Sequence, residues 1–143
     1  MNNKDTDVAR DLSDVLAENR TMISLNGIIF AFLLTASIIR QNISPMEEYL
    51  LSGAIITSVL SLGIFAMPVL YHHLQFPYQD RHKFILRSHR FITYGFIPFA
   101  LTFILSTALA LYTVFQEKAF VITIAILLIL LVIYVGRKWH IVD

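Results

Sequence analysis

"AFVITIAILLILLVIYVG", residues 119–136, contains no Asp, Glu, Lys or Arg. At a rise of ~1.5 Å per residue it is roughly 27 Å long as a helix, just enough for a hydrocarbon core. A helix in a soluble protein needs a polar face to meet water, and this stretch offers none on any side. It therefore predicts a helix surrounded by lipid. Working back along the chain, three more blocks read the same way. They are Met22 to Ile39, Tyr49 to Tyr71 and Phe91 to Phe115, each free of the four charged residue types.

Composition agrees with that reading. The chain has 143 residues, 57% of them hydrophobic, and a mean hydropathy of +0.68. Soluble domains are usually about half apolar, and here the excess is concentrated in the four blocks. The formal net charge is +1, which gives no basic face for a nucleic-acid partner. Cysteine is absent, which excludes disulfides, thiolate metal sites and thiol nucleophiles. The charged first twenty residues and the long first apolar block do not resemble a signal peptide. The predicted fold is all-α: a four-helix transmembrane bundle, up-down-up-down, preceded by a cytoplasmic amphipathic arm over 1–21. The membrane domain is expected over 22–143.

Positive charge predicts the orientation. Lys4, Arg10 and Arg20 precede the first span. Arg81, Lys83, Arg87 and Arg90 lie in the middle connection, and Arg137 and Lys138 follow the last span. The opposite side carries only Arg40 and Lys118. The excess of Lys and Arg on cytoplasmic loops then predicts both termini inside, in a multi-pass protein of the cell membrane. The outer connections are short, so consecutive helices should be antiparallel neighbours.

Lipid tails are as apolar as leucine, so membrane helices join through small residues and polar contacts. Gly27, Ala31 and Thr35 recur at spacing four on the first span, and Gly53, Thr57 and Ser61 on the second. Both stripes read as helix-packing faces, with Ser106 and Ala110 continuing the pattern on the third. The fourth span lacks such a stripe, so its broad face is expected to meet lipid or a partner subunit. Asn26, the most polar residue within a span, is expected to make an interhelical hydrogen bond. Pro68 and Pro98 each remove a backbone donor and should kink their helices near the cytoplasmic end, where two kinks at similar depth would open a small cavity.

Two charged stripes flank the spans. Val8, Leu12, Val15 and Leu16 make one apolar face of a helix from Asp5 to Arg20, and Asp11, Asp14 and Glu18 lie beside it. An interfacial helix that binds anionic lipid would be basic, so the acidic stripe suggests a protein surface. Lys83, Arg87 and Arg90 fall on one helical face at the start of the third span. These six residues are a candidate cytoplasmic interaction face, with the acidic arm docking on the basic segment. The bland alternative is that the charges are topology signals on solvated faces.

His72, His73, His82 and His89, with Asp80, crowd the 71–90 connection. They are weak metal candidates. Adjacent His72 and His73 point about 100° apart on a helix, and His82 and His89 sit about 10 Å apart along one. Histidines in a headgroup zone are the plainer reading, and no catalytic residue or cofactor is assigned. No ionisable residue lies within a span to mark a proton or ion path.

Three segments carry a resemblance: "GIIFAFLLT" at 27–35, "MPVLYHHLQF" at 67–76 and "DRHKFILRSHRFITYG" at 80–95. With them the chain resembles an uncharacterised family of small prokaryotic four-helix membrane proteins, domain of unknown function 6328. The resemblance covers roughly residues 10 to 115 and is weaker beyond. It implies four spans and a membrane location but carries no activity. Within its pattern, Pro68, Tyr71, His72 and Phe76 are the positions to inspect. The favoured function is a non-enzymatic scaffold or accessory subunit that packs against itself or a larger membrane complex. Next comes a small oligomeric transporter or ligand sensor, with its inner mouth near Pro68, Pro98 and the 71–90 connection. Third is metal or haem binding by the histidines.

Overall fold

A computed structural model of the chain describes residues 3–40, 42–75 and 81–140. Four helices account for nearly all of them: α1 (Asn3–Ile39), α2 (Pro45–Gln75), α3 (Arg81–Phe115) and α4 (Lys118–His140). All four are long and apolar enough to cross a membrane. Each charge-free block therefore sits inside a longer helix. α1 runs without a break where the sequence reading divides an arm over 1–21 from a span starting at 22. The reason is local: no Gly or Pro occurs between Asn3 and Asn26, so nothing interrupts the helix between arm and span. α3 likewise begins ten residues ahead of the expected third span, carrying the basic segment on its first turns.

Sequence signals explain the helix ends. Ser44, Pro45 and Glu47 form a capping box at the start of α2. The Ser44 hydroxyl accepts from the Glu47 backbone N–H at 3.3 Å, and the Glu47 carboxylate accepts from the Ser44 N–H at 3.0 Å. The Ser44 N–H first, then the Ser44 hydroxyl donating to the same carboxylate oxygen at 3.1 Å, hold the Glu47 carboxyl below its ordinary 4.5, with Arg40 adding to the effect. Between α3 and α4 the turn is only Gln116 and Glu117. Gln116 takes a left-handed φ of 50° and its N–H reaches back to the Tyr112 carbonyl at 2.9 Å, a left-handed helix terminus filled by a residue other than glycine.

The helices do not share contacts equally. α2 and α3 make the most extensive contact, and α1 packs on both of them. α4 touches α3 and no other helix among the described residues. The buried positions explain the three-helix core. On α2, beside Leu50, they are Leu51, Ala54, Ser58, Ser61, Phe65 and Pro68, alternating by three and four. On α3, Ser88, Gly95, Thr102 and Leu109 recur every seven residues, as do Asn19, Asn26 and Leu33 on α1. A repeat of 3.5 keeps one seam facing its neighbour and gives left-handed, knobs-into-holes packing.

What fills the seam is small or polar. Asn26 and Ser58 clasp each other across α1 and α2: the Asn26 amide donates to the Ser58 carbonyl at 3.0 Å, and the Ser58 hydroxyl donates to Asn26 Oδ1 at 2.9 Å. This is the interhelical bond expected of Asn26. Seven residues earlier, the Asn19 amide donates to the Phe65 carbonyl at 3.0 Å. Ser61 donates to the Gly95 carbonyl, and Thr102 to the Thr57 hydroxyl, tying α2 to α3. As the residue number rises on one helix of each pair it falls on the other, so α1, α2 and α3 are antiparallel in succession. Gly95 is the tightest point. A Cβ there would lie 2.6 Å from Phe65 Cε1 and 2.7 Å from Cδ1, and Phe65 is itself fully buried.

The two small-residue stripes lie differently. Gly53, Thr57 and Ser61 lie along the α2–α3 contact, where a Cβ at Gly53 would meet Leu105 at 3.2 Å. On α1 the structure turns the stripe aside. Ala31 and Thr35 are exposed and the space beside Gly27 is open. The seam follows Asn19, Asn26 and Leu33 instead, because buried amides must be hydrogen-bonded while small apolar residues are content against lipid.

Candidate functional site

The candidate residues gather where α1, α2 and α3 carry their charges. Tyr71 of α2 is the hub. Its ring stacks on Phe84 of α3, with centroids 5.7 Å apart and planes 8° apart, and the Arg87 guanidinium lies 5.4 Å from its centroid. Arg87 also donates to the Tyr71 hydroxyl. One of the three expected docking cations is thus committed to α2 by a cation–π contact and a hydrogen bond. Asp14, Glu18 and Arg90 are exposed, and among the described residues no ion pair joins Asp14 or Glu18 to Arg87 or Arg90. Lys83 is exposed. Leu12, Val15 and Leu16 are half-buried, so apolar contact and the Asn19 bond help to hold this part of α1 against its neighbours.

The histidines are spread out. His72 is half-buried, edge-on to His73 at 5.5 Å and to Phe84 at 6.2 Å. His89 is exposed on α3. Asp80 and Phe76 lie outside the described residues, as do the side chains of His82 and Asp11. Among the described residues no three His, Asp or Glu side chains converge on a point that would hold a metal ion.

Sequence reasoning passed over two features of this end. The first is a pair of orphans. Asn19 Oδ1 and Ser88 Oγ are buried with no hydrogen-bond partner. Each such atom costs about 1–3 kcal/mol, so the polar seam is least satisfied here, close to Pro68, whose ring supplies no N–H. The second is a groove of about 520 Å³ running along α3. Ile92, Phe96, Ile97 and Ala100 make its wall, with Glu18 and His89 beside its charged end. Pro98 lies within this stretch of α3, but neither it nor Pro68 lines the groove. The groove follows from the register between helices, which no sequence signal gives. α1 and α3 are parallel, and Leu33 and Ala108 share one core cluster. Fifteen residues back on each helix, Glu18 therefore comes level with Thr93.

The opposite rim has a tie instead of a groove. Arg40 pairs with Glu47 at 3.2 Å and donates to the Thr113 hydroxyl at 2.5 Å, joining the end of α1 to α2 and α3.

Four helices long and apolar enough to cross a membrane, three of them joined through a polar seam, are the build of an all-α membrane protein. The family model described as a family of unknown function (DUF6328) matches residues 2–137, and the chain belongs to that family. No curated protein and no solved structure matches it.

Proposed function

We propose that the chain is a non-enzymatic scaffold or accessory subunit of a prokaryotic cell membrane, with both termini cytoplasmic, and that α4 carries its contact to a second copy or a larger complex. The observation that supports this is the slender seat of α4. Its buried described residues are Ala119 and Thr123, both near its start, and every residue from Leu128 to Val135 is exposed. Lipid can coat that surface. A helix anchored by one end to one neighbour nevertheless gains position from a protein partner at the other, and its stack of branched aliphatic side chains is suited to interlocking packing. Gentle solubilisation, affinity capture and mass measurement test the proposal. A stoichiometric partner or a homo-oligomer that dissociates when Leu128, Leu131 and Val135 are changed to Ala supports it. A chain that stays monomeric and alone, with activity in a purified state, would sink it.

One observation favours a second reading, a small oligomeric transporter or ligand sensor. The groove along α3 supplies an opening at the end where an inner mouth is expected. Flux across liposomes containing the purified chain separates the two.

A further inference from the structure

The groove along α3 has the proportions of half a bilayer. Its wall from Ile92 to Ala100 is about 12 Å along the helix axis, most of the ~15 Å of one leaflet. Apart from Thr93 its wall is apolar from Ile92 to Ala100, and it is partly open. Thr93, the hydroxyl on this wall, is occupied by donating to the His89 carbonyl at 2.9 Å. Polarity is confined to the charged end. There the Glu18 carboxylate and the His89 imidazole make no hydrogen bond or ion pair among the described residues. Glu18 stands four residues before the first charge-free block, in the headgroup zone.

These features together specify a ligand. It has an acyl tail for the apolar wall, a head with a cation for Glu18, and an anionic group that can meet His89. We infer that the groove holds a phospholipid with a primary-ammonium headgroup, of the ethanolamine type. The acyl chain lies on Ile92, Phe96, Ile97 and Ala100. The ammonium N–H groups donate to the Glu18 carboxylate, and His89 donates to the phosphodiester. A second protein helix fits less well, because an apolar helix laid there would bury the Glu18 carboxylate without a partner. A choline headgroup would bring charge but no N–H donor, and a glycerol headgroup no cation. The inference rests on the helices crossing a bilayer and is independent of whether α4 meets a protein.

Native mass spectrometry of the full chain in detergent tests this. The protein is titrated separately with dioleoyl phosphatidylethanolamine, phosphatidylcholine and phosphatidylglycerol. One bound phosphatidylethanolamine should survive at about fivefold higher occupancy than either other lipid, the scale of one partly screened charge pair. Glu18→Gln should abolish that preference, and Glu18→Asp should keep most of it. Ala100→Phe, which fills the apolar wall, should lower retention of all three lipids alike. Circular dichroism of each variant confirms that the helices are intact. Equal retention of the three lipids, a preference that survives Glu18→Gln, or a protein dimer that excludes lipid would overturn the assignment. Protein mass and lipid adducts are read from the same spectrum, so loss of a scaffold partner and loss of the lipid site remain distinguishable.

Discussion

α2 and α4 are both apolar membrane-length helices, yet one is the centre of the molecule and the other its margin. α2 sets Ser58, Ser61 and Thr57 against partners on α1 and α3. α4 offers one buried hydroxyl, Thr123, and spends it on its own Ala119 carbonyl at 2.9 Å. Hydrophobicity does not distinguish them, since lipid satisfies a leucine as well as a neighbouring helix does. Adhesion in this fold follows small size and polar chemistry at a 3.5-residue repeat. Where those stop, surface is left over.

The comparison breaks most readily at Gly95. Gly95→Val should cost about 3 kcal/mol, because its side chain drives into the buried Phe65 ring. Unfolding in mixed detergent measures it. If adding Phe65→Leu recovers none of the loss, the clash is not what makes Gly95 necessary. Next in size is Asn26→Leu, which removes both bonds of the clasp and should cost about 1–2 kcal/mol. A loss no greater than that of a lipid-facing control, such as Ala31→Leu, would mean the clasp is decorative.

The Arg40 tie should matter less, at most about 1 kcal/mol for a partly exposed pair. Its pH dependence has a definite sign. The Glu47 carboxyl is held below its ordinary 4.5 in the folded chain, so its contribution is complete above that value. It fades as pH falls through the lower, folded value. Thermal melts should therefore drop more in the parent than in Glu47→Gln as pH falls from about 6 toward about 3. The smallest effect on the fold belongs to α4. Leu128→Ala with Leu131→Ala should shift unfolding of the isolated chain by under about 0.5 kcal/mol. The same pair should weaken any captured partner, which sharpens the contrast between a helix that builds the fold and one that displays it.

Much of this was legible in the residues. Four spans follow from charge-free blocks alone, and the pairing of Asn26 follows from the cost of a lone amide in lipid. The stripe Gly53, Thr57, Ser61 pointed to a face that the structure places against α3. The matching stripe on α1 pointed elsewhere than the contact. Small residues at spacing four suit one crossing angle, while Asn19, Asn26 and Leu33 at spacing seven suit another. Only the partners' positions decide between them. The groove was not legible, because it depends on Glu18 and Thr93 coming level, a relation between helices separated by the whole of α2. The limited contacts of α4 were half legible, since its lack of polar residues gave the surface but not the count of neighbours.

Arg40 pins three helices together at one rim, while at the other rim Asn19 Oδ1 and Ser88 Oγ lack partners. The mouth of the groove, at Glu18, therefore opens at the rim that keeps unpartnered polar atoms and not at the rim that Arg40 clamps.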